Sequence, residues 1–258
     1  MLDGLKLAMG TLTAIPVQAP THIDQKVAGR AMVLAPLTQL PLVAVILLWG
    51  WAVRQVPVPA PVAAATALVV VTLATRGMHL DGLADTADGL SASYERAKAL
   101  EVMHRGNIGP SGVAAVVLVL LVDAAALASL LTTGPGVVLV ALALVASRQL
   151  LAWACSPVVP SARPLGLGAT VAGTVDPVMV AMGFVLLLGI SALATRWSGP
   201  HWWTGPVVIC GATLGGLAVI RRAIVRFGGI TGDVLGAVIE VSFAVALTLA
   251  AVLVSVSA

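Results

Sequence analysis

Apolar residues run along this chain in long blocks, separated by short stretches where glycine, proline and charge collect. A helix needs about 20 predominantly apolar residues to cross the hydrocarbon core of a bilayer. On that criterion seven spans are predicted, at roughly 31–53, 61–78, 109–132, 136–155, 178–195, 204–224 and 233–256. Ahead of them, Asp3 and Lys6 interrupt the leucines of residues 1–16, which reads as a short interfacial helix rather than a cleaved signal. No low-complexity linker, charged run or internal repeat divides residues 1–258. The expectation is a single all-α domain: a polytopic membrane helix bundle of about seven transmembrane helices plus the short N-terminal interfacial helix.

Composition removes the soluble alternative. Hydrophobic residues make up 59% of the chain and charged residues 10%, against about 25% charged in soluble domains. So few charges cannot cover a water-soluble surface, and a lipid bilayer is the expected surrounding. The net charge of +3 is too dilute for a nucleic-acid stripe, and 4% aromatic residues offer no stacking platform, so no nucleic-acid partner is expected. Cys155 and Cys210 lie far apart in apolar stretches and read as small buried hydrophobes.

The cations orient the bundle. Lys6, Lys26, Arg30, Arg76, Arg96, Lys98, Arg105, Arg163, Arg221, Arg222 and Arg226 fall on one side of the predicted spans. Only Arg54 and Arg196 fall on the other, with Arg148 inside a span. The positive-inside rule then predicts a cytoplasmic N-terminus and an external C-terminus. Trp49, Trp51, Trp197, Trp202 and Trp203 all sit at the predicted outer boundary, where indoles prefer to lie, and Trp153 at the inner one.

Against this background the carboxylates are unevenly placed. Asp81, Asp85 and Asp88 in His79-Leu80-Asp81-Gly82-Leu83-Ala84-Asp85-Thr86-Ala87-Asp88-Gly89 fall at i, i+4 and i+7, on one face of a helix. Three like charges on one face repel, so a cation is expected among them, and carboxylates shared with phosphate oxygens are the usual Mg²⁺ environment. A merely solvated acidic loop fits poorly with Leu80, Leu83, Ala84, Ala87 and Leu90 around them. Gly82 and Gly89 suit close approach of a bulky group to the backbone.

A second concentration opens the last span: Gly228-Gly229-Ile230-Thr231-Gly232-Asp233, with Glu240 further in. It belongs to the same predicted face as Asp81. Thr231 or Asp233 can cap the helix, and a helix N-terminus is itself an anion site. Asp233, Gly236 and Glu240 share a face, and Glu240 would lie up to two turns inside the lipid boundary, which requires a cavity or partner. Arg221, Arg222 and Arg226 directly precede the loop. Carboxylates for a metal beside arginines for phosphate describe a site for a diphosphate substrate. Asp123 and Arg148 read as a structural ion pair between the third and fourth spans. His79 and His104 flank the site as proton-transfer candidates, and Arg163 reads equally as phosphate contact or orienting cation.

The run HLDGLADTADGL (His79–Leu90) resembles the signature of the adenosylcobinamide-GDP ribazoletransferase, or cobalamin synthase, family. GGITGDVLGA (Gly228–Ala237) resembles that family's glycine-rich element, and Glu95–Met103 and Ala162–Gly168 resemble its intervening segments, in the same order over most of the chain. Two departures stand out: Ala14 replaces an arginine in the Leu-Thr-Arg-x-Pro pattern, and Arg105 and Asn107 replace an acidic residue followed by arginine. The resemblance implies transfer of the cobinamide phosphate of adenosylcobinamide-GDP to the ribose 3′-hydroxyl of α-ribazole or its 5′-phosphate. GMP leaves and the nucleotide loop of adenosylcobalamin is complete. It implies Mg²⁺ on Asp81 and Asp85, with Asp88 or Asp233 completing the shell or taking the hydroxyl proton and His79 close to the chemistry. Arg96, Arg105, Arg163, Arg222 and Arg226 would hold the substrate, with Gly82, Gly229, Thr231, Gly232 and Glu240 lining its site. A bacterial inner membrane, a cytoplasmic active site, self-association and contact with other enzymes of nucleotide-loop assembly belong to the same expectation.

Two other readings remain. A CDP-alcohol phosphotransferase would also use aspartate-held Mg²⁺, but its D-x₂-D-G-x₂-A-R string is absent. An ion-coupled transporter would account for Asp123, Arg148 and Glu240, and predicts repeated halves with paired broken helices.

Overall fold

Proline and glycine set the ends of the helices. A computed structural model describes residues 2–199 and 201–257, and the described chain is helical and free of named strands. Met1, Pro200 and Ala258, included in the single-domain expectation, lie outside the described residues. Helix α1 (Leu2–Leu12) buries Ala8 and Leu12 and leaves Leu2 exposed. The first span runs from Gln25 to Gln55 as α2 (Gln25–Leu34), a 3₁₀ turn (Ala35–Gln39) and α3 (Leu40–Gln55). Pro36 and Pro41 cause the interruption, because neither carries an N–H for the α-helical ladder.

Helix α4 (Ala60–Ala74) ends earlier than the predicted 61–78. Its 15 residues reach only about 22 Å, short of a hydrocarbon core of about 30 Å. Arg76 (φ 58°) and Gly77 (φ 65°) then turn the chain through the left-handed region, and α5 (Met78–Ala92) leaves at 89° to α4. The Arg76 guanidinium donates to Gly10 O at 3.0 Å, tying this turn to α1. α4 and α5 therefore form a sharply bent pair in place of one straight span.

The remaining helices are α6 (Arg96–His104), α7 (Pro110–Leu130), α8 (Gly134–Ala154), α9 (Leu167–Val171), α10 (Pro177–Ser198), α11 (Thr204–Phe227) and α12 (Gly232–Ser257). Pro110, Pro135 and Pro177 occupy first turns, where the missing N–H costs nothing. Thr133 and Asp176 cap α8 and α10 by accepting from Gly136 N at 3.1 Å and Val178 N at 2.7 Å. Among the described residues six helical stretches are long and apolar enough to cross a membrane, or seven if the bent α4–α5 pair is counted as one. The chain is a multi-pass membrane protein.

Helix α8 forms the centre, with 83% of its apolar stretch inside the bundle, whereas only 22% of α7 and of α10 is covered. Leu118, Leu121, Val185 and Leu186 accordingly face outward, as lipid-facing side chains do. Gly211 and Gly215 let α11 lie against Leu249 and Val245 of α12, the small-residue contact that replaces the hydrophobic effect in lipid. The apolar core falls into two clusters. One gathers Leu150, Phe227, Val234 and Ile239 beside α1 and α2; the other gathers Leu42, Leu144, Phe243 and Leu247 toward the opposite face. Between them Asp123, Ser147, Arg148, Glu240 and Ser242 form a buried polar layer. Cys155 is buried as expected, but Cys210 is exposed on the flank of α11, where an apolar thiol can meet lipid.

Candidate active site

Helix α5 presents its three aspartates to three environments. Asp81 is exposed, Asp85 is half-buried and Asp88 is buried. Asp88 turns to α7, where its carboxylate accepts from Gly109 N at 2.6 Å and Gly112 N at 2.8 Å. Those are unpaired amides at the start of a helix, and a carboxylate there satisfies both the amides and the helix dipole. A Cβ on Gly112 would fall 2.4 Å from the Asp88 carboxylate and 2.8 Å from Ala84 O, so glycine is needed there, and one on Gly109 would fall 2.5 Å from the same carboxylate and displace it. The face shared by three aspartates in sequence thus becomes two aspartates toward the surface and one toward α7.

The second motif meets the first through its glycines. A Cβ on Gly82 would stand 2.6 Å from Asp233 O, and one on Gly236 would stand 3.0 Å from His79 O. These two residues let α5 and α12 cross almost backbone to backbone and bring Asp81 and Asp233 together. Gly82 and Gly89 therefore serve helix contact, Gly89 against Met103 and Ala99 of α6. The loop before α12 is pinned by Ile230 N donating to Pro160 O and Ala162 N donating to Ile230 O, both at 2.9 Å. Gly229, at φ 152°, is in a conformation that favours glycine and abuts Pro160 O. Thr231 Oγ1 accepts from Val234 N at 3.2 Å and so caps α12, and it donates to Asp233 Oδ2 at 3.1 Å.

Two adjoining cavities open at this crossing. The first, about 340 Å³, is lined by Arg76, His79, Asp81, Leu167, Gly232 and Asp233, with apolar residues of α1, α2, α8 and α12. The second, about 200 Å³, is lined by Ser161, Arg163, Gly166, Thr231, Gly232 and Asp233. Asp233 belongs to both. Asp85 stands beside them: burial first, then the charges of Asp233, Asp81 and Asp88, push its carboxyl up to about 6, with Arg163 opposing. Carboxylates that raise one another in this way are under-compensated, and a cation would relieve them.

The donors fit a shared Mg²⁺ better than an enclosed one. Among the described residues no three His, Cys, Asp or Glu side chains are arranged to hold a metal by themselves. Mg²⁺ commonly takes one or two carboxylates and completes its shell with water and substrate phosphates, and Asp81, Asp85 and Asp233 are hard oxygen donors of that kind.

The arginines divide. Arg163 lines the second cavity, and its Nη2 donates to Leu100 O. Arg96 donates to Ala162 O at 2.9 Å, bracing the loop that carries Arg163. Arg226 is buried away from both cavities: Nη2 donates to Leu90 O at 3.0 Å and Ser93 O at 2.6 Å, and the guanidinium lies 4.4 Å over the Tyr94 ring. Arg226 thereby holds the end of α5. Arg222 is exposed on α11, and Arg105 pairs with Glu101 at 2.8 Å on the exposed face of α6. His104 is exposed as well.

Glu240 approaches His79 behind the first cavity, with His79 Nδ1 3.9 Å from Glu240 Oε1 and 3.4 Å from Arg148 Nη2. The expected Asp123–Arg148 ion pair does not form among the described residues; Arg148 reaches α5 instead, and Asp123 lies in the field of Glu240. Sequence reasoning missed Arg76 as a lining residue and Arg148 as the partner of His79. Arg76 directly precedes Gly77 and the aspartate motif, which was a usable signal; the reach of Arg148 across 69 positions was not.

A model of the Cobalamin-5-phosphate synthase family matches residues 4–251. The chain is 42% identical over 251 residues to an adenosylcobinamide-GDP ribazoletransferase of Nocardioides sp., covering 96% of this chain and 97% of that protein. It is 38% identical to the protein of that name from Frankia casuarinae, covering 96% and 94%, and 36% identical to that of Pseudomonas paraeruginosa, covering 93% and 94%. No solved structure matches. The matched stretch contains both elements of the α5–α12 crossing, and the chain belongs to the Cobalamin-5-phosphate synthase family.

Proposed function

We propose that this chain transfers the cobinamide phosphate of adenosylcobinamide-GDP to α-ribazole or its 5′-phosphate, releasing GMP and closing the nucleotide loop of adenosylcobalamin or its 5′-phosphate. The observation that carries the reading is the convergence of Asp81 and Asp233 on one cavity, with Arg163 in the adjoining one. A diphosphate brings negative charge that such a pair of cavities can receive only if part of it is neutralised.

In this reading Asp81 and Asp85 hold Mg²⁺. Bound there, Mg²⁺ would draw charge from the diphosphate and stabilise the leaving GMP. Arg163 binds a phosphate oxygen from the second cavity, and Arg76 does so from the rim of the first. Asp233, at the junction, accepts the proton of the ribose 3′-hydroxyl as its oxygen bonds to the cobinamide-linked phosphorus. The bond from that phosphorus to the GMP oxygen then breaks, and GMP carries away the electron pair. In this reading Asp88 serves to hold the start of α7, since each of its oxygens accepts a backbone amide there.

The orientation belongs to the same proposal. The cationic side is cytoplasmic in a bacterial inner membrane, so the site opens to soluble nucleotide substrates and the C-terminus lies outside. The distribution of Lys and Arg and the tryptophans of the opposite side support it. The test is incubation of purified protein in lipid with both substrates and Mg²⁺. GMP release matched by a new corrinoid is expected, abolished by EDTA and by omission of α-ribazole. GMP release without α-ribazole would show hydrolysis and contradict transfer.

A further inference from the structure

His79 lines the first cavity with a buried ring, and its neighbours determine which nitrogen carries the proton. The ring is 3% exposed and lines the cavity with Asp81 and Asp233. Its Nδ1 lies 3.4 Å from Arg148 Nη2, at the long edge of hydrogen bonding, and 3.9 Å from Glu240 Oε1, beyond it. A guanidinium has donors and no acceptor. A nitrogen facing it must therefore offer a lone pair, and the ring proton is left on Nε2. Nε2 is buried and has no hydrogen-bond partner in the structure. Buried polar groups are ordinarily paired, so an unpartnered donor in a residue that lines a cavity calls for an acceptor that arrives with a ligand.

We propose that Arg148 fixes His79 as the Nε2–H tautomer, so that His79 donates a hydrogen bond to a phosphate oxygen of the substrate in the first cavity. His79 is then a donor to the reacting group and not a base. Arg148, on the central helix and away from the cavity wall, is a positioning residue. It is itself held by Nη1 donating to Ser147 Oγ at 2.8 Å, and the Glu240 charge lies beside it in the polar layer. The choice of a phosphate oxygen as acceptor rests on the proposed transfer; the tautomer does not.

The experiment uses the whole protein in lipid, labelled with ¹⁵N-histidine. The chain has four histidines, and the His79 signals are those lost in His79→Gln. Expected is a protonated Nε2 and an unprotonated Nδ1 at neutral pH, retained in Arg148→Lys and lost or mixed in Arg148→Met. Kinetics supply the second arm. The amide nitrogen of glutamine can occupy the place of Nε2, whereas that of asparagine reaches only that of Nδ1. His79→Gln is therefore expected to keep kcat within about tenfold and His79→Asn to lose about 100-fold in kcat with KM little changed. A protonated Nδ1 in the native protein, which needs no variant to fold, would overturn the proposal. Equal loss in the glutamine and asparagine variants would overturn the donor role. Should Asp81→Asn keep full activity, the Mg²⁺ reading fails while the tautomer result stands. A protonated Nδ1 beside an inactive Asp81→Asn fails this inference alone.

Discussion

Asp85 and Asp88 stand one turn apart on α5 and differ in what surrounds them. Asp88 is compensated by two amides of α7, so its removal should cost stability. Asp88→Ala is expected to lower unfolding free energy by about 1–2 kcal/mol, read by thermal unfolding in detergent, with a smaller loss for Asp88→Asn. Asp85 has the opposite balance. Its carboxyl titrates at about 6 instead of near 3.8, so its charged form is disfavoured in the fold. The penalty appears as pH rises through that window and is complete above it. In metal-free protein at pH 8, Asp85→Asn should therefore raise the thermal midpoint, and the difference should vanish near pH 4. Mg²⁺ requires the ionised carboxylate, so metal affinity should fall as pH drops below about 6, measured by titration with Mn²⁺. The sequence exposed the helical face common to all three aspartates. It could not reveal that Asp88 caps α7, because that depends on where residues 109–112 pack.

At the level of elements, the site depends on how closely α5 and α12 cross. Gly82→Ala would put a methyl group 2.6 Å from Asp233 O, and over-packing of this kind costs about 1–3 kcal/mol. The expected result is a helical, folded variant with weakened substrate binding, because Asp81 and Asp233 would no longer share a cavity; circular dichroism and KM check it. The spans were legible because blocks of about 20 apolar residues have few alternatives in lipid. The bend after α4 was less so: the apolar character of residues 61–78 runs through it, and only the left-handed Arg76–Gly77 pair ends the helix. Gly82 was legible as a close approach, but the approaching group is another helix. Arg226 was legible as a cation near the glycine loop, yet it is bound to the carbonyls of Leu90 and Ser93.

At the level of the molecule, scarce charge marks the working side of the bundle. Cations and carboxylates gather where α5, the Arg163 loop and the start of α12 meet, and the polar layer behind them separates two apolar clusters. The proposed orientation predicts that a C-terminal tag is cleaved by protease only from outside sealed, right-side-out vesicles. The central claim is that Asp81 and Asp233 work at one Mg²⁺-dependent transfer site, and the rate of GMP release by purified Asp81→Asn and Asp233→Asn at saturating Mg²⁺ tests it most directly. The account predicts that each variant folds and loses about 100-fold or more in kcat. Full activity in either variant would contradict it.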